Sequence, residues 1–269
     1  LISGVGGLPK LGVEGAALGT VIARVWETSA YIYYFFIHHN ILRVKARYLK
    51  ITKAFTITLF KQGFPSMISE FLGNIAITTI ALMMARELGT TEEAALPILI
   101  NIEVLFIMPI IAIGLAMASM GGRYLGAQNI RDAQIVGRIG SSIGIIWSII
   151  SMALLLLLGP NILGLYTNDI SVINASLMSI IIFAFNQPFI QYTIFMSNFI
   201  RGTGAARFVM MLTIIRNWVI LVPASAVLLY VFHTGLETLY IAEIIAFSIN
   251  SILLYIYFIN NRWTKIKIG

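Results

Sequence analysis

The sequence has no cysteine, which excludes disulfides, thiol nucleophiles and thiolate metal sites while saying nothing about compartment. Charge is scarce too: Asp, Glu, Lys and Arg make up 11% of the 269 residues, against about 25% in a soluble domain. No HExxH, P-loop, GxSxG or dinucleotide fingerprint occurs, which disfavours an ATP-driven pump. What remains is apolar, with 59% hydrophobic residues and a mean hydropathy of +0.91. A water-soluble fold cannot hide that much apolar surface, so the expected class is an all-α polytopic membrane protein. The net charge of +7 does not imply a nucleic-acid partner, because the basic residues sit in short segments between apolar runs.

Seven apolar runs are long enough for a bilayer core of about 30 Å. They lie near 13–37, 64–86, 96–119, 138–159, 171–199, 208–231 and 237–259. Alternate connections carry opposite charge. Arg43, Lys45, Arg47, Lys50, Lys53 and Lys61 fall between the first two runs. Arg123, Arg131, Arg138, Arg201, Arg207, Arg262, Lys265 and Lys267 follow on the same side, giving fourteen of the eighteen basic residues. The other side holds Glu87, Glu92, Glu93, Asp169 and Glu237, with Arg86 as the basic exception. The positive-inside rule puts the basic side, and the C-terminus, in the cytoplasm of a plasma-membrane protein.

The chain starts on Leu1 with no cationic n-region ahead of its first apolar run, so no signal peptide is expected. An internal repeat accounts for a start outside. Aligned without gaps, Gly12–Phe35 and Gly235–Phe258 share six identities in twenty-four positions, opening on G-x-E and closing on Tyr-Phe. Residues 1–37 then read as the last helix of an earlier lobe, 63–260 as a complete six-helix lobe, and 261–269 as a cytoplasmic tail. Residues 38–62 mix lysine and arginine with Leu42, Val44, Tyr48, Ile51, Phe55 and Phe60. That pattern fits an interfacial helix linking two lobes, or simply a basic cytoplasmic loop. Adjacent His38 and His39 point to different helical faces, which argues against metal binding.

Met117–Ala133, MASMGGRYLGAQNIRDA, places Arg123 and Arg131 with Gly121, Gly122 and Gly126 where a helix is expected to stop and turn back. Together with LGVEGAALGTVIAR (11–24), GLAMASMGGRYLGAQNIRDA (114–133) and IRGTGAARFVMMLTIIRNWVILVP (200–223), it resembles the multidrug and toxic compound extrusion (MATE) family. The family's inner G-x-x-L-G-A-x-N…A loop and its R-G-x-G loop both appear in order. The resemblance implies twelve helices in two six-helix lobes about a cleft, of which this chain would hold the sixth helix and the second lobe. It also implies export of cationic or amphiphilic small molecules in exchange for Na⁺ or H⁺, without a cofactor, and an absent N-terminal lobe as partner.

Ionisable groups at membrane depth cost about 2.5–3.5 kcal/mol each on insertion scales and so mark function or a partner. Glu70 is the leading candidate, with Asn74 at i+4 and Thr78 at i+8 on the same face. A carboxylate beside amide and hydroxyl oxygens can take Na⁺, or alternate between a proton and a cation; the bland reading is a Glu paired near the inner rim. Sodium-coupled relatives carry one acid in the seventh helix and another in the tenth. Here the tenth has none, and Asn186, Gln187 and Gln191 stand there instead, suited to substrate hydrogen bonds or to helix–helix bonds. Glu103 and Glu243 are less decisive. Arg216 needs a carboxylate, with Glu243 or Glu70 as candidates, and Arg24 and Glu27 pair at i,i+3 as a structural bridge. Gly140, Ser141, Gly144 and Ser148 read as close-packing positions, Pro65, Pro109, Pro188 and Pro223 as kinks, and the methionines as a pliable surface or ordinary filling.

A secondary antiporter for organic cations is the first functional expectation. A lipid-linked oligosaccharide flippase of the same broad architecture is the alternative, though it calls for a cationic cleft to hold pyrophosphate. A membrane-embedded enzyme lacks a nucleophile–base or metal constellation at one depth. A truncated product unable to transport alone is a fourth reading.

Overall fold

The computed structural model describes residues 12–37 and 52–265, and every described element is helical. α1 (Gly12–Ile32) runs on into a π-helical stretch, Tyr33–Ile37. Long helices follow: α2 (Lys53–Glu87), α3 (Thr90–Gly126), α4 (Ile130–Gly164) and α5 (Ile170–Gly202). The next span is composite, with α6 (Ala206–Ile214), a π-helical segment (Ile215–Leu221) and α7 (Val222–Tyr230) in unbroken succession. α8 (Glu237–Ile259) and a 3₁₀ turn (Arg262–Lys265) close the described chain.

Six helices are long and apolar enough to cross a membrane: α2, α3, α4, α5, the α6–α7 composite and α8. α1, with Glu14, Arg24 and Glu27 in 21 residues, is not one of them among the described residues. The chain divides between Ile57 and Thr58 into two units. In the first, Arg24 and Glu27 bridge at 2.8 Å on an exposed helix. His38, His39 and most of the basic linker lie outside the described residues, but its last ten residues are helical and belong to α2, which begins eleven residues before the expected 64.

The second unit holds two apolar clusters with a polar layer between them. Ile80, Met84, Leu99, Ile102, Leu155, Ile180, Phe183 and Tyr240 form one; Ile110, Phe195, Met196, Phe199, Leu254, Phe258 and Trp263 form the other. On α5 the interval from Phe183 to Phe195 contains Asn186, Gln187 and Gln191, all fully buried. Buried amides need partners, and the backbone of α3 supplies one: the Phe106 carbonyl accepts from Trp147 Nε1 and from Gln191 Nε2, each at 3.0 Å. Gln191 Nε2 also donates to Gln187 Oε1 at 2.8 Å.

The glycine-rich stretch is not the loop its composition implies. Met117–Gly126 forms the last turns of α3, and the reversal is confined to Ala127–Asn129. Gln128 takes φ 60°, and Asn129 caps α4 by accepting from the Asp132 N–H at 3.2 Å. The glycines serve packing instead. A Cβ on Gly122 would lie 2.8 Å from the Gly202 carbonyl oxygen, and one on Gly202 would lie 2.7 Å from the Ala118 oxygen. The two motifs thus meet face to face where α3 and α5 approach closely. Gly137, Gly140, Gly144, Ser148 and Ser151 form a buried small-residue stripe on α4. Across it, Phe195 sits against Gly140 and Ile110 against Gly144. The tail is not free of the bundle: Trp263 is buried, stacked on Phe258 at 5.5 Å, edge-on to Phe199 at 5.4 Å, and donates to the Phe258 carbonyl at 3.0 Å.

Candidate functional site

A cavity of about 480 Å³ opens between α2, α3, α5, the π segment and α8. Each wall contributes polar groups at helical spacing. α2 gives Ser69, Glu70, Gly73 and Asn74; α3 gives Glu103; α5 gives Thr193, Ser197, Asn198 and Arg201. The composite span gives Thr213, Arg216 and Asn217, and α8 gives Glu243 and Phe247. Isoleucines and Leu221 fill the intervals. The volume lies within the range of about 300–1,000 Å³ common for small-molecule sites.

Chain direction orders these groups by depth. Arg201 is the second-last residue of α5, and its Nη1 bridges to Glu70 Oε1 at 2.9 Å. Glu70 therefore lies level with that end of α5, although it is seventeen residues beyond Lys53 in α2. Its side chain is 67% exposed and that of Arg201 21%, so the pair marks the cavity's open rim. Glu103 and Glu243 approach from the opposite ends of their helices, thirteen residues past Thr90 and six past Glu237.

The deep acid is held in place. Glu243 is buried, and Asn186 Nδ2 donates to its Oε2 at 3.1 Å. Asn186, Gln187 and Gln191 do not line the cavity; they stand behind its wall, where Asn186 Nδ2 and Gln191 Nε2 donate within the bundle while Asn186 Oδ1, Gln187 Nε2 and Gln191 Oε1 have no hydrogen-bond partner among the described residues. Asn74 lines the cavity with Glu70, but its amide Nδ2 donates to the Glu70 backbone carbonyl at 2.8 Å. Thr78 Oγ1 likewise donates to the Asn74 carbonyl at 2.8 Å and lies outside the lining.

Arg216 shares the cavity with Glu243 and Glu70 yet, among the described residues, bridges to neither within 4 Å. Its guanidinium lies over the Phe247 ring, 4.4 Å from the centroid, and Nε donates to Asn217 Oδ1 at 2.9 Å. The π segment explains this placement. Pro223 has no N–H and would crowd the preceding turn of a regular helix; widening by one residue per turn relieves this, and the Val222 N–H reaches back to the Asn217 carbonyl. Trp218 in the same segment donates Nε1 to the Leu72 carbonyl of α2 at 3.2 Å.

Sequence reasoning missed Arg201, read as a loop cation, and undervalued Glu103. Arg201 carried one usable signal: it falls in the last turn of its helix, at the depth where Glu70 lacks a partner.

Six apolar spans, five of them lining an acid-bearing cavity, define a multi-pass membrane protein. Comparison with known proteins gives the family: the MatE family model matches residues 65–227, and the chain belongs to the MatE family. The "Probable multidrug resistance protein NorM" of Thermotoga maritima is 26% identical over 267 residues, 98% of this chain and 57% of that protein. The "Probable multidrug resistance protein YoeA" of Bacillus subtilis is 24% identical, over 96% of this chain and 56% of that one. The chain thus spans a little over half the length of these relatives. Among solved structures, a MOP superfamily transporter from Pyrococcus furiosus, described as having a binding pocket of reverse polarity, superposes with a TM-score of 0.85 at 21% identity. That match covers 99% of this chain and 59% of that one. An outward-facing multidrug resistance MATE family transporter gives 0.83 at 19%, over 93% and 56%.

Proposed function

We propose that this chain is the C-terminal portion of a secondary-active transporter that exports organic cations or amphiphiles in exchange for Na⁺ or H⁺. Its six-helix lobe faces a preceding lobe across the cleft, and its C-terminus lies in the cytoplasm. The observation that carries the reading is the cavity's charge balance. Glu70 and Arg201 cancel at the rim, leaving Glu103 and Glu243 against Arg216 in the depth. Formally one carboxyl is left without a basic partner, and such a group can hold a monocation when ionised, whether cargo or Na⁺, or take up a proton. Exchange follows when cargo and coupling ion compete for these carboxylates in alternating states, because only differential affinity shifts a conformational equilibrium. With more acidic than basic groups, the depth offers pyrophosphate no cationic cradle, which counts against lipid-linked oligosaccharide as cargo.

The test uses the product of the complete gene in a bacterial strain lacking its own efflux pumps. Ethidium accumulation should fall on expression and recover with Glu103→Gln or Glu243→Gln, with less effect from Glu70→Gln. Inside-out vesicles given a Na⁺ or a pH gradient identify the coupling ion. Unchanged accumulation on expression, or full activity with both deep carboxylates neutralised, rejects the proposal.

A further inference from the structure

We infer that Arg216 is a tethered stand-in for cargo: in the empty cavity its guanidinium occupies the face of Phe247 on which a planar organic cation stacks during transport. This rests on the cation-transport reading above and names the place in the cavity where the cargo's charged ring binds.

Three observations support it. Arg216 is a cation at membrane depth without a carboxylate bridge, although Glu243 and Glu103 line the same space. A permanent structural arginine so placed would be expected to close on one of them, because a buried charge is stabilised chiefly by an opposite charge. Instead it engages the face of Phe247 at 4.4 Å and the neighbouring Asn217 at 2.9 Å. Neither contact neutralises the charge, and the ring face is one that another cation can take. A cation over an aromatic face is held weakly enough for an incoming cation to displace. Finally, the side chain is mounted on the π segment Ile215–Leu221, where the backbone is wider than an α-helix and one turn can relax by a residue. Such a segment lets the guanidinium withdraw without unfolding the span. The charge balance also favours exchange: cargo entering as Arg216 swings away keeps the number of cations facing Glu103 and Glu243 constant.

The ligand class is therefore a flat monocation with delocalised charge, matched in shape to guanidinium, rather than a compact inorganic ion. The experiment measures ethidium binding to the purified product of the complete gene by fluorescence anisotropy. Arg216→Gln removes the competitor and should tighten binding about three- to tenfold. Phe247→Leu should weaken binding to the same extent. In the Phe247→Leu background, Arg216→Gln should give little further gain, because the contested ring is gone. Equal gains in both backgrounds overturn the inference in favour of a general charge effect, as does weaker binding by Arg216→Gln. If neither Arg216→Gln nor Arg216→Met yields folded protein, Arg216 is a structural element and the inference falls. Wild-type protein that binds no ethidium removes the transport reading itself. Wild-type binding with an unaltered Arg216→Gln affinity removes only the stand-in.

Discussion

Gly202→Ala tests whether the motif glycines act through helix packing. The new methyl would lie 2.7 Å from the Ala118 carbonyl oxygen and 2.5 Å from the Ala118 Cβ. Neither can swing aside, because one is backbone and the other is fixed to it. Comfortable contact needs α3 and α5 to part by about half an ångström or more, and a gap of that size forfeits roughly a quarter to a half of each dispersion contact along the seam. Overpacking of this kind costs about 1–3 kcal/mol, partly offset by the helix propensity of alanine, worth up to about 1 kcal/mol. Gly144→Ala is the control: its methyl would crowd the Ile110 Cδ1 tip at 3.1 Å, a flexible end that can yield, and meet Phe195 Cβ at an ordinary 3.9 Å. We expect Gly202→Ala to melt several degrees below wild type in detergent and Gly144→Ala to stay within about a degree. Because Arg201 is the adjacent residue, the Gly202 variant should also alter ethidium export, through the Glu70 bridge. A Gly202→Ala protein with wild-type melting would refute the close-approach argument.

Two further outcomes follow from the ends of the bundle. Trp263→Ala removes a fully buried indole wedged against Phe199 and Phe258 and should cost about 3–5 kcal/mol, seen as a lowered melting temperature; a tail without a packing role would show no change. Asp169 caps α5 by accepting from the Ser171 hydroxyl at 2.6 Å and its N–H at 2.9 Å, and these bonds hold its pKa below the ordinary 3.8. The stabilisation is complete above that value and is lost as the pH falls beneath it. Melting of wild type and Asp169→Asn should therefore converge as the pH is lowered from 5 to 3, and a constant gap would contradict the cap.

By itself, the sequence determined the class of the protein and the order of its spans. Long apolar runs can satisfy their backbone in lipid only as helices, so 96–119, 138–159 and 171–199 each fall inside an observed helix. It also exposed the ionisable residues, because charge at membrane depth is rare enough to stand out. What it could not determine was who meets whom. Glu70 was visible, but its partner lies 131 residues away, at the end of a helix whose register depends on glycine contacts between α3 and α5. Asn186, Gln187 and Gln191 suited substrate hydrogen bonds and helix–helix bonds equally, because sequence shows only that three amides share one stretch. Packing sets them behind the wall, where Gln191 donates to the Phe106 carbonyl and Asn186 to Glu243. Periodicity states which residues share a face, but only the packed bundle decides whether that face meets lipid, a neighbour or a cavity. The cavity is therefore a property of five converging segments, and no local stretch of the chain encodes it.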